Sequence, residues 1–201
     1  MSEWWTYRLS SFLMFSPKTY WRNVELFNQA YWPLHLVALA IGLVLLALAA
    51  QQRVAAFRIQ TFLLATLWAW VAWAFHWQQY ASINWAARYF ALAFLVQAAL
   101  LLVVGTLSRE TQRTNAGAVR RKFGWLLAFS GVLLYPLLGW LCGRPLMQIE
   151  LFGMSPEPTA LGTLGFLLIN SQPLSGRLRS LLAIVPVLSL MVGAATLRLV
   201  F

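Results

Sequence analysis

The sequence predicts an all-α integral membrane bundle of about six transmembrane helices behind an N-terminal amphipathic interfacial helix. Three observations carry that prediction. Of 201 residues, 61% are hydrophobic and 10% are charged, whereas about 25% of a soluble domain is charged. So few charges cannot clothe a water-facing surface. The apolar residues fall in long runs near the ~20 residues needed to cross a hydrocarbon core. Eleven Trp suit a chain that meets two membrane interfaces, where indole rings settle at head-group level.

Residues 1–32 are the polar exception. "SPKTYWRNVELFNQAYW" (16–32) opens with a Ser cap and places Pro at the first helical position. Tyr20, Val24, Phe27 and Tyr31 recur at helical spacing, with Lys18, Arg22 and Glu25 off that stripe. The pattern predicts a helix lying in the interface plane. "MSEWWTYRLS" has no basic leader followed by a short apolar stretch, so the first apolar segment is expected to stay as an anchor.

Six apolar segments follow, at about 33–50, 58–77, 85–107, 124–142, 157–171 and 180–198. Pro33 suits the first turn of the first helix, and Asn84 can cap the third. The fifth segment is short and holds Gly162 and Gly165, so it either crosses with little tilt or re-enters. Pro186 should kink the sixth. No linker, low-complexity tract or internal repeat divides the chain, so residues 1–201 are expected to form one transmembrane domain.

Basic residues set the orientation. Six crossings put both termini on one side, with Arg8, Lys18, Arg22, Arg88, Arg144 and Arg198. The other side holds Arg53, Arg58, Arg109, Arg113, Arg120, Arg121, Lys122, Arg177 and Arg179. The richer side stays in the cytoplasm, which predicts termini outside and residues 108–124 inside. Arg120, Arg121 and Lys122 are expected to meet anionic lipid head groups. The net charge of +10 is therefore assigned to lipid rather than to nucleic acid.

Small residues point to helix packing. Ala38 and Gly42 share a face of the first helix with His35; Ala65, Ala69 and Ala72 share a face of the second with His76. Such stripes let backbones approach closely in lipid. His35 lies 18 residues before Arg53 and His76 23 after it, so both return to the outer end of one helical hairpin. Seating the two stripes together would bring the histidines into contact. With Glu25, Gln78 and Tyr80 they form a candidate outward polar pocket. In the fourth helix, Gly131 and Gly139 extend a further small-residue face. Gln97 is the best placed deep polar residue for a contact between helices.

Chemistry is sparse. The five acidic residues all fall at or outside helix ends, there is no Asp, and no Gly-rich phosphate loop is present. No Ser-His-Asp set can therefore form, and no enzyme activity is expected. Glu157 and Thr159 in "SPEPT" read as a helix start, where a carboxylate suits the dipole. Cys142 stands alone and no C-x-x-C or H-x-x-x-H spacing occurs, so no metal or cofactor is expected. A bis-histidine haem between the first two helices is also opposed by close packing at about 8–10 Å.

The stretches "MSEWWTYRLSSFLMFSPKTYWRNVELFNQAYWP", "FHWQQYASINWAARYFALAFLVQA" and "ELFGMSPEPTALGTLGFLL" resemble an uncharacterised family of small bacterial multi-pass membrane proteins, a domain of unknown function. The resemblance covers most of the chain and implies a bacterial inner-membrane location. It brings no activity, cofactor or catalytic residue. Where the family pattern reads Pro-Cys-Pro-Thr, this chain has Pro156, Glu157, Pro158 and Thr159.

The reading expected from these features is a non-catalytic accessory or scaffold subunit of a membrane complex, with other subunits or further copies of itself as partners. A second reading is a protein that binds or conducts a small solute or ion through the outward pocket. A third is a haem- or metal-bearing redox component.

Overall fold

In the computed structural model, which describes residues 15–109, 117–170 and 174–200, the chain is built of helices, with no strand among the described residues. Helix α1 (Pro17–Ala30) begins as its sequence dictates: Ser16 accepts a hydrogen bond from the Thr19 N–H at 3.2 Å, and Pro17 occupies the first turn. Tyr20, Val24 and Phe27 of the predicted stripe are buried.

Helix α2 (Leu34–Gln51) is followed by α3 (Val54–Trp70), which continues as a π-helical segment, Val71–Gln79, and a 3₁₀ turn, Tyr80–Ser82. Helix α4 is Ala87–Leu107. Helix α5 (Ala118–Phe129) passes through a π-helical turn, Ser130–Leu134, into α6 (Tyr135–Leu141). Helix α7 is Pro156–Ile169 and α8 is Gly176–Val200, with Pro186 inside it.

Five helical stretches among the described residues are long and apolar enough to cross a membrane: 34–51, 54–82, 87–107, 118–141 and 176–196. Helix α7 is not one of them. Its 14 residues extend only about 21 Å at 1.5 Å per residue, against a core of about 30 Å.

Glycines seat α7 against α5. A Cβ on Gly131 would fall 2.7 Å from Gly162 Cα, and one on Gly165 would fall 2.7 Å from Ala128 Cα. One on Gly124 would fall 2.8 Å from the Ile169 nitrogen. The helices therefore run antiparallel with touching backbones. Gly139, expected on the same face, has Ile149 as its nearest neighbour at 3.7 Å, so it seats no helix.

The other small stripes take partners different from those expected. A Cβ on Gly42 would meet Val132 at 2.8 Å and Phe152 at 3.3 Å. Ala38 lies beside Gly153. The α2 stripe thus packs on the α5 extension and on the connection before α7. The α3 stripe runs from Thr61 through Ala65, Ala69 and Ala72 to His76, and both ends meet α4. Thr61 abuts Gly105, and His76 lies 4.5 Å from Phe94, ring centre to ring centre. The hairpin is formed, but its two stripes do not face each other.

Polar side chains tie the two ends of the bundle. At one end Arg58 Nη2 donates to the Ser108 carbonyl at 2.6 Å. There Arg179 also donates to the carbonyls of Leu167, Asn170 and Leu174, at 2.9, 3.1 and 3.2 Å, capping α7. At the other end α1 lies across the connection 142–155. Asn28 Nδ2 donates to the carbonyls of Met147 and Ile149, both at 2.9 Å. The connection then enters the bundle, where Phe152 and Met154 are buried. Buried non-helical backbone must have its polar groups satisfied within the protein. Accordingly Gly153, in a left-handed conformation (φ 77°), donates its N–H to Thr159 Oγ1 at 2.8 Å.

Between the ends, two buried contacts cross helices. Gln97 Nε2 donates to the Leu182 carbonyl at 3.0 Å, the interhelical bond expected of it. Trp68 Nε1 donates to Thr163 Oγ1 at 2.9 Å.

Candidate functional site

The π-helical segment of α3 aims His76 between α4 and α8. His76 is 4% exposed, and Phe75, Tyr80, Phe90 and Phe94 surround its ring at centroid distances of 5.4, 6.2, 5.9 and 4.5 Å. Neither ring nitrogen has a hydrogen-bond partner among the described residues. A buried polar group without a partner is costly, so two on one ring single it out.

His76 lines a cavity of about 260 Å³ whose walls come from α1, the end of α3, α4, α7 and α8. A cavity of about 150 Å³ is enough to hold benzene. The α4 and α8 walls include Phe90, Ala93, Leu188 and Val192. Leu188 and Val192 are 53% and 41% exposed on the outside of the bundle. The cavity therefore reaches the outside of the bundle beside these two α8 side chains.

Glu157 supplies the second polar group. It stands on the first turn of α7, which Pro156 opens at the first helical position. Its side chain lies against α8 where Gly193 leaves space: a Cβ there would fall 2.6 Å from Glu157 Cγ. Glu157 Oε2 is enclosed and has no hydrogen-bond partner among the described residues.

Behind Glu157 a small void of about 10 Å³ touches Tyr20, Tyr135, Glu150, Gly193 and Thr196. Glu150 is buried, accepts from the Tyr20 hydroxyl at 2.8 Å, and lies 3.7 Å from Arg144 Nη1. Burial pushes the Glu150 carboxyl above the ordinary range, opposed by the Tyr20 hydrogen bond and by Arg144. Burial also raises the Tyr20 hydroxyl well above its usual value, with Glu150 adding to the effect. Arg144 in turn stacks over Trp21 at 3.7 Å. Polar groups therefore lead from the α1 end of the bundle to the wall of an otherwise apolar cavity.

The five residues expected in one outward pocket are spread over four places. His76 and Tyr80 line the cavity. His35 is buried in a separate apolar groove of about 460 Å³, with Asn28, Leu36, Pro136 and Trp140. Its Nε2 lies 2.9 Å from Asn28 Oδ1. Since Asn28 Nδ2 already serves two carbonyls, Oδ1 is the acceptor and His35 carries its proton on Nε2. Glu25 pairs with Arg22 at 2.7 Å and accepts from Gln148 at 3.2 Å, on the outer side of α1. Gln78 is exposed, and its neighbour Gln79 makes the contact instead, donating to Asn23 Oδ1 at 2.8 Å. The expected contact between His35 and His76 is thus replaced by two separate environments.

Sequence reasoning passed over Glu157 as a site residue, and Phe90 and Phe94 altogether. Proximity to two prolines made Glu157 look like a helix start, which it is; its free oxygen depends on α8. No three His, Cys, Asp or Glu side chains gather as a metal-ligand set among the described residues. Arg121 and Lys122 are exposed and Arg120 is half-buried at the end of α5.

The family model that matches this chain is the family of unknown function DUF6064, over residues 17–200. The chain belongs to that family. No curated protein and no solved structure matches it. The match takes in every element of the site, from Tyr20 in α1 to Thr196 in α8. DUF6064 membership carries no activity with it, so the site's chemistry has to come from its own residues.

Proposed function

We propose that this protein is a non-catalytic binding protein of the bacterial inner membrane, which takes a small molecule with an apolar body from the bilayer into the cavity between α4 and α8. The observation that carries the reading is the presence of His76 and Glu157 Oε2, both enclosed and without a hydrogen-bond partner among the described residues, on the wall of an apolar cavity. Pockets for small molecules have this composition: apolar walls and a few convergent polar groups. A diazirine-bearing residue placed at Ser189, which lines the cavity, tests it. Irradiation in native membranes should add the mass of a small molecule to the protein. Labelling at Ser189 no greater than at exposed Val119 would contradict it.

In this reading α7 is a short sixth crossing, continued by the buried connection 152–155. The support is its antiparallel seating on α5 and the capping of its end by Arg179. Six crossings leave both termini outside and Arg120, Arg121 and Lys122 at cytoplasmic anionic head groups. Helix α1 then lies at the outer interface.

A second reading keeps the protein as an accessory or scaffold subunit. It is favoured by α6, of whose seven residues none is buried. Leu137, Leu138, Trp140 and Leu141 are 52%, 57%, 58% and 71% exposed there. Cross-linking from Leu138 in native membranes, with identification of a defined protein adduct or a second copy, is the result this reading expects. Adducts of lipid alone would remove it.

A further inference from the structure

We infer that the cavity is built for an organic cation: a protonated or quaternary amine carrying apolar substituents. This rests on the binding reading above and narrows it to one ligand class.

Three observations select the class. First, the polar atom Glu157 Oε2 is enclosed without a hydrogen-bond partner among the described residues. Ionising a carboxyl so enclosed is unfavourable unless a compensating charge comes beside it, and α7 holds this one in place on its first turn. Second, among the described residues no lysine or arginine lines the cavity. Third, the remaining walls are rich in π-faces: Phe75, Tyr80, Phe90 and Phe94 gather around one small space. Aromatic faces attract a desolvated cation by about 2 kcal/mol or more, and together with a carboxylate they form the usual recognition set for substituted ammonium groups.

Other classes fit less well. An anion would meet Glu157 and, among the described residues lining the cavity, no basic side chain. An uncharged apolar molecule would fill the space and leave both His76 and Glu157 Oε2 unpartnered. A cation bearing an N–H can also donate to the free acceptor nitrogen of a neutral His76, which accounts for the second unpartnered group. A quaternary ion satisfies the carboxylate and the rings without using the histidine.

The test uses the full chain purified into phosphatidylcholine nanodiscs, with empty nanodiscs subtracted. Radiolabelled benzyltrimethylammonium is compared with radiolabelled neopentylbenzene, its uncharged isostere, by scintillation proximity. The expected result is that the cation binds at least about tenfold more tightly than the isostere. Glu157→Gln should erase that preference. Saturable binding of both probes with equal affinity, or tighter binding of the isostere, overturns the cation assignment and leaves the binding reading standing. Failure of both probes to bind overturns the two together. The comparison of the two probes on the unaltered protein decides the matter even if the Gln variant does not fold.

Discussion

Gly131 and Gly162 touch backbone to backbone: a Cβ on the first would stand 2.7 Å from the Cα of the second. That approach holds α7, too short to anchor itself, against the α5 extension. Gly131→Leu should therefore cost about 3 kcal/mol, read as a lowered unfolding temperature and loss of monodispersity in detergent. Gly139→Leu, with its nearest neighbour at 3.7 Å, should stay within about 0.5 kcal/mol. Equal effects at the two positions would mean that the glycine seam does not organise the helix.

Asn28 should be worth more to the fold than His35. Its amide serves the carbonyls of Met147 and Ile149 and accepts from His35. Asn28→Ala leaves the buried Ile149 carbonyl and His35 Nε2, and the part-buried Met147 carbonyl, without this partner, a loss of about 2–4 kcal/mol. His35→Gln, which keeps a donor, should cost about 1 kcal/mol. Thermal unfolding of the two variants side by side checks the order, and a larger loss for His35→Gln would reverse it.

Glu150 should make the protein less stable as pH rises. A carboxyl raised by burial binds its proton more tightly folded than unfolded. Its contribution is full below the ordinary carboxylate pKa of about 4.3 and is lost as pH climbs through the folded value. Arg144 and Tyr20 reduce the shift without abolishing it. The unfolding temperature, followed from pH 5 upwards, should fall less in Glu150→Gln than in the natural chain. Identical slopes would show that Glu150 does not titrate across that window.

Topology is tested at the cytoplasmic loop expected from the arginine and lysine distribution. In a Cys142→Ser background, a cysteine at Thr114 should resist an impermeant thiol reagent added to intact cells and react after lysis. Thr114 lies outside the described residues, so this expectation comes from charge alone. Labelling from outside would invert the bundle.

Much of the helix pattern was legible because it depends on near neighbours. The Ser16 cap, the buried stripe of α1 and the short reach of α7 are local matters of spacing and composition. Even Gln97 was legible, because a deep amide in lipid needs a partner. Partners of the small stripes were not. A run of alanines states that something comes close, not what, and here α3 turns its stripe to α4 while α2 turns its own to Phe152 and Val132. The π-helical segment caused the other misreading. Its i→i+5 turn carries side chains off the 3.6-residue pattern, so Gln79 rather than Gln78 reaches α1. Glu157 was hidden because its environment comes from α8 and the cavity, far along the chain.

The most direct measurement is native mass spectrometry of the protein released gently from its own membrane, beside an Ala93→Trp variant that fills the cavity. A bound small molecule present on the unaltered protein and lost from a folded Ala93→Trp is the result expected of a binding protein whose cavity lies between α4 and α8. An unaltered protein that carries nothing, or the same adduct on both proteins, would contradict it.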